Sequence, residues 1–244
     1  MKKNKNINNK KVVIILAVIL LAAIILAIFN LIKSKNNNQP VAAKVNVLAS
    51  DTKEQAYTAS KTPTLKADDK IFGSKDAPIK IFVYEDSASV FSAKFADTLD
   101  KIYTDEPNNV AIVVRPFISE NSSDSQEGAL AIECAGDQDK WTAMRALIFS
   151  KAKNEELNFK ELNEYAQQIG LDVNVFSVCL TNQAKSAKIE ELSSEAGNYD
   201  VIGTPTIFIG NEMILGARPY EDYVDSNGEN VDGLKTIINK RLNR

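Results

Sequence analysis

Two serines, Ser89 and Ser92, open a stretch in which Phe91, Phe95, Leu99 and Ile102 recur at three- and four-residue spacing, the mark of an amphipathic helix over about 89–104. A hydroxyl at the amino-terminal end of a helix lies beside unpaired N–H groups and the positive end of the helix dipole. The plain role for Ser89 is a helix cap. A hydrogen bond from Ser89 or Ser92 to a bound ligand is one alternative, and an activated serine nucleophile is another. The nucleophile needs a base, and the 244 residues contain no histidine, so no Ser–His or Cys–His pair and no imidazole metal ligand can be built. The two cysteines, Cys134 and Cys179, are too few for a typical structural zinc site. Neither a metal nor another cofactor is expected.

The elements that must hold these residues can be read from apolar periodicity and punctuation. Residues 79–84 (Ile-Lys-Ile-Phe-Val-Tyr) and 110–116 read as buried strands on either side of the helix, a βαβ unit with a parallel pair and a right-handed crossover. A helical stretch follows over about 124–197. Within it, Asn158 with Glu161 opens a helix ending near Gly170, and Asp172 opens a short one carrying Val175, Phe176 and Cys179. Trp141, Met144, Leu147 and Phe149 are read as helix core. Residues 206–209 and 212–215 form a hairpin around Gly210-Asn211, before a closing amphipathic helix with Leu234, Ile237, Ile238 and Leu242. The expected class is α/β: one domain over 71–244 with a helical insertion.

Residues 12–32 contain a single polar side chain, Asn30, and are long enough to cross a bilayer as a helix. A buried core helix and a cleaved signal peptide, with a late site at Val41-Ala42-Ala43, are the alternatives. Lys2, Lys3, Lys5, Lys10 and Lys11 precede the span without an acidic residue, which places tail 1–11 in the cytoplasm and the remaining chain outside the cell membrane. Residues 33–70 turn polar and read as a flexible linker. Of 29 basic residues, six lie at or before Lys33, so the exported part carries 23 against 32 acidic residues, a net charge of −9. Nucleic acid is not an expected partner on that balance.

Several segments together resemble the DsbA-like branch of the thioredoxin superfamily: residues 73–78 (Gly-Ser-Lys-Asp-Ala-Pro), the strand after them, Glu85-Asp86, Glu133-Cys134-Ala135-Gly136 with Gln138 and Trp141, and Cys179-Leu180. The most specific is residues 203–209 (Gly-Thr-Pro-Thr-Ile-Phe-Ile), followed by Gly216-Ala217-Arg218-Pro219-Tyr220. The resemblance implies a thioredoxin-like fold, a cis Thr204–Pro205 bond facing the first helix, and a peptide groove formed by Thr204, Pro205 and Phe91. It also implies a Cys-x-x-Cys where this chain has Ser89-Val90-Phe91-Ser92. A serine hydroxyl is nearly isosteric with the thiol but forms no disulfide and stays protonated at neutral pH. Glu85 and Asp86 then read as solvated or capping carboxylates. Residues 221–233 exceed the family's usual step into the last helix.

Export permits a disulfide between Cys134 and Cys179, the expected state; a redox-active pair and free buried thiols are the alternatives. Three functions follow: a redox-inactive module binding extended or unfolded polypeptide, in the manner of a chaperone; a thiol–disulfide oxidoreductase or isomerase; and a glutathione-type ligand binder.

Overall fold

The computed structural model describes residues 56–119 and 122–244; the tail at 1–11, the span at 12–32 and the linker as far as residue 55 lie outside them. The first elements are two short strands, β1 (Ala56–Thr58) and β2 (Lys70–Phe72), then β3 (Ile79–Glu85), helix α1 (Val90–Asp105) and β4 (Val110–Pro116). Helices α2 (Ser123–Gly136), α3 (Trp141–Lys153), α4 (Leu162–Gln168), α5 (Val173–Leu180) and α6 (Gln183–Glu195) form the insertion, which ends in a 3₁₀ turn at Ala196–Tyr199. The hairpin β5 (Thr206–Ile209) and β6 (Glu212–Leu215) follows, then a small hairpin of β7 (Tyr223–Val224) and β8 (Asn230–Val231), and α7 (Leu234–Arg241). The extra residues before the last helix are thus accounted for by a second hairpin.

One mixed sheet carries the fold, in the order β1-β6-β5-β3-β4-β2. Strands β3 and β4 are parallel, with α1 as their crossover, whereas β5 runs antiparallel to β3. Alternation along the strands sends Ile81, Val83, Ile112 and Ile207 to one face, where Phe95, Leu99 and Ile102 of α1 and Leu234, Ile237 and Ile238 of α7 cover them. Phe82, Tyr84, Val113 and Phe208 point to the other face. The insertion has its own core around Met144, Ile148, Phe149 and Phe176, with both cysteines in it, and Cys134 and Cys179 are joined by a disulfide.

Residues 56–70, expected as the end of a flexible linker, are built into the domain instead. Their composition is polar, but backbone pairing rather than side-chain hydrophobicity recruits them: β1 pairs with β6 at one sheet edge and β2 with β4 at the other. Between the edges this strap crosses the second face, and Ala59, Leu65 and Ile71 pack on the Phe82, Tyr84 and Phe208 cluster.

Ion pairs fasten strap and insertion together: Lys70 pairs with Glu133, Lys66 with Glu195, and Asp68 with Lys188, which also reaches Glu133 within the insertion. Burial pushes the Glu133 and Glu195 carboxyls up, but hydrogen bonds from these lysines outweigh it and hold both below their ordinary value of 4.5. A depressed carboxylate stabilises the fold above its unfolded pKa and loses that contribution as the pH falls through the folded one. The urea midpoint is therefore expected to hold down to about pH 5 and to fall below about pH 4.5, with a shallower fall in Glu133→Gln.

Candidate functional site

The site forms at the sheet end from which β3 leads into α1. Glu85 ends β3, and the next four residues turn the chain into the helix. Ser89 caps α1, its hydroxyl accepting from the Ser92 N–H at 3.4 Å. Ser92 points inward and is buried, and its hydroxyl accepts from the Asp86 N–H at 3.2 Å. The outward residue of the first turn is Phe91, 63% exposed. Helical spacing groups Phe91 with Phe95, Leu99 and Ile102, yet only the latter three are buried. The cluster beneath α1 begins at Phe95, so the first turn stands clear of it.

Glu85 and Asp86 are not solvated. Glu85 forms a two-pronged, buried pair with Arg145 of α3, both N–O distances 2.7 Å, and the guanidinium lies over the rings of Phe72 and Phe149. Asp86 is buried among hydroxyls: it accepts from Ser119 at 2.5 Å and Ser125 at 2.9 Å, and from the Ala88 N–H at 2.8 Å. Its carboxylate thus fixes the loop between strand and helix. Helix α2 can approach this loop because residue 128 is glycine; a Cβ there would overlap the Ser87 hydroxyl.

The second half of the site comes from the loop before β5. The Thr204–Pro205 bond is cis. Thr206 pairs with Tyr84, which brings Pro205 to the same sheet end as Glu85 and the start of α1. The loop is held on one side by the Thr206 hydroxyl, donating to the Gly203 carbonyl at 2.7 Å, and by the Gly216 N–H, donating to the Pro205 carbonyl at 2.8 Å. Among the described residues, the N–H groups of Ile202, Gly203 and Thr204 and the carbonyls of Ile202 and Thr204 have no backbone or side-chain partner. Ile202 is 81% exposed. The loop offers unpartnered backbone groups and an exposed apolar side chain, Ile202, and the start of α1 at the same sheet end offers a second, Phe91.

Cys134 and Cys179 are buried in the core of the insertion, a cluster that also takes in Ala93 and Ala96 of α1. The Asp137 carboxylate approaches the Cys179 sulfur at 3.6 Å and is paired with Lys185. Both cysteines are buried, Cys134 1% and Cys179 8% exposed, and burial limits the access of an attacking thiol.

Sequence reasoning missed Arg145, Arg115, Asp69 and Ile202. The first two left a signal, a lone arginine inside an otherwise apolar run in each case (Val113-Val114-Arg115 and Met144-Arg145-Ala146-Leu147-Ile148). Each guanidinium is buried and needs a carboxylate. The partners are distant in sequence and carry no local mark.

A family model described as "Thioredoxin" matches residues 65–226. The fold is shared with Wolbachia pipientis alpha-DsbA1 at a TM-score of 0.57 and 18% identity, over 73% of this chain and 93% of that one. The catalytic domain of Proteus mirabilis ScsC is similar, at 0.57 and 19% over 73% and 92%. A thioredoxin-like oxidoreductase from Silicibacter pomeroyi gives 0.55 and 18% over 62% and 85%. Among curated proteins, a sodium/proton antiporter, NhaA 1, from a Mycobacterium species is 27% identical over 61% of this chain. A Salinispora arenicola NhaA 1 is 28% identical over 63%. The chain spans about a quarter of the length of these curated relatives, 24% and 23%. The chain belongs to the thioredoxin family, and its fold is that of the DsbA-like proteins.

Proposed function

We propose that this protein is a membrane-tethered thioredoxin-fold module, held by residues 12–32 with its folded domain outside the cytoplasm, that binds extended polypeptide without exchanging disulfides. The observation that carries the reading is the set of backbone groups at residues 202–204 without a partner among the described residues, beside the cis Thr204–Pro205 bond, with exposed Ile202 on the same loop and exposed Phe91 at the start of α1. An extended segment can add its own N–H and C=O groups there as a short strand, with apolar side chains against Phe91 and Ile202. Ser89 and Ser92 supply a cap and an inward hydrogen bond instead of a thiolate and its partner. The antiporter relatives match this chain over a minor part of their length, and ion transport is no part of the proposal.

The test uses the full-length chain in detergent and a reduced, carboxymethylated lactalbumin, an unfolded polypeptide without free thiols. Saturable binding that is lost in Ile202→Ser with Phe91→Ser is the expected result, together with no reduction of insulin disulfides. Equal binding by the variant would remove the proposed groove. Installing Ser89→Cys with Ser92→Cys should produce dithiol oxidation from a zero baseline, since the capped helix start and the cis bond are both in place. An inactive double variant would show that the groove has diverged beyond the loss of its sulfurs.

A further inference from the structure

We propose that the strap at residues 56–70 is a positioning clamp for the recognition loop, so that releasing the strap weakens polypeptide binding. The inference rests on the reading of residues 202–205 as the binding edge.

That loop is anchored downstream by β5 and Gly216, but its upstream root is the 3₁₀ turn at Ala196–Tyr199 and the left-handed residue Asp200 (φ 59°). The strap grips this root. The Ser60 hydroxyl donates to the Asp200 carboxylate at 3.0 Å, and the Lys66 ammonium pairs with Glu195, the residue before the turn. Glu195 in turn accepts from the Tyr199 hydroxyl at 3.0 Å. Ala59 and Leu65 share one apolar cluster with Ala196, Tyr199 and Val201. The strap is itself locked to the sheet, because Arg115 donates to Asp69 through two N–H groups at 2.9 Å and to the Thr64 carbonyl at 2.6 Å. Beyond Val201, whose N–H donates to the Ala196 carbonyl at 3.2 Å, the loop backbone is held, among the described residues, by the Thr206 hydroxyl on Gly203 and then by the Gly216 N–H on Pro205, both from its downstream side. The strap is therefore a structural support on the amino-terminal side of the loop, beside the packing of Tyr199 on Tyr84 and Phe208 of the sheet. It is also the segment through which a pull or a partner acting on the preceding residues would reach the site.

The test is Ser60→Ala with Lys66→Ala in the full-length chain, which removes both polar grips and leaves the Arg115–Asp69 pair intact. Both contacts are partly exposed, so the effect is bounded. Amide hydrogen exchange over residues 196–201 is expected to accelerate by about three- to tenfold while β3 and β5 are unchanged, and the dissociation constant for carboxymethylated lactalbumin is expected to rise by a similar factor. The conservative pair Ser60→Thr with Lys66→Arg should restore both. Unchanged exchange at 196–201, or uniform acceleration through β3 and β5, overturns the clamp. Accelerated exchange with unchanged affinity overturns its link to binding. If the wild-type chain fails to bind the probe, the functional reading falls and the link to binding with it, while the exchange result still decides whether the strap positions the loop.

Discussion

Replacing Asp69 by alanine is expected to lower the unfolding free energy by about 3–5 kcal/mol, the range for stranding one partner of a buried ion pair. Arg115 is 1% exposed, at the end of β4, and its guanidinium contacts Asp69, the Thr64 carbonyl and the Tyr84 hydroxyl, at 3.3 Å in the last case. Burial alone would pull the arginine pKa down, yet the hydrogen bonds that Arg115 donates to Asp69 and Tyr84 hold it above its ordinary value. Without Asp69 the buried guanidinium keeps only the Glu195 carboxylate, at 3.9 Å, as a counter-charge, beside the Thr64 carbonyl and the Tyr84 hydroxyl. The midpoint of thermal unfolding should fall by roughly 6–20 °C.

The control is Asp69→Leu with Arg115→Met, which removes both charges. Because a well-packed apolar pair can equal a buried ion pair, the double variant is expected to recover most of the loss. If Asp69→Ala costs less than about 1 kcal/mol, the pair is effectively solvated and the strap is not locked by it. If the double variant is as unstable as the single one, the strap depends on the specific hydrogen bonds to Thr64 and Tyr84 rather than on charge neutralisation.

Removing the disulfide by Cys134→Ala with Cys179→Ala is expected to cost about 4 kcal/mol in the chain-entropy model, given a bridge between residues 45 apart. Alanine is the right replacement because both sulfurs lie in the apolar core with Met144 and Ile148, where a serine hydroxyl would have to be buried as well. Urea unfolding of the wild-type chain with and without a strong reductant gives the same comparison without mutation. A change below about 1 kcal/mol would show that the covalent link adds little beyond packing. Lactalbumin binding should survive in the variant whenever it remains folded, since the cysteines and the loop at 202–205 belong to different parts of the structure. This separates a stabilising bond from a redox-active one: an exchange enzyme working through this pair would lose its function with the sulfurs.

The two results bear on different links of the chain. The Asp69 experiment addresses how a polar segment becomes part of the sheet, whereas the cysteine experiment addresses how the insertion holds together once formed.

What the sequence determined by itself was local. The βαβ unit, the Ser89 cap, the Asn158 and Asp172 helix starts and the Gly210 turn (φ 60°) all rest on residues within a few positions of one another. Propensity, capping and periodicity act over that range, so they leave a readable pattern. The replacement of both motif positions by serine was legible for the same reason, as a four-residue comparison.

Only the tertiary structure decided the rest. The partners Arg115 and Asp69 are 46 residues apart, and Arg145 and Glu85 are 60 apart; neither pairing has a sequence period. The strap was unreadable because its recruitment depends on open sheet edges, which exist only after β4 and β6 are in place. Phe91 follows the helical spacing of the core but lies past the end of the surface it would cover, and that depends on where α1 begins relative to the sheet. The serines at 89 and 92 could be named from the sequence; that one caps outward and the other is turned inward onto Asp86 was decided by the loop that α2 and its hydroxyls hold in place.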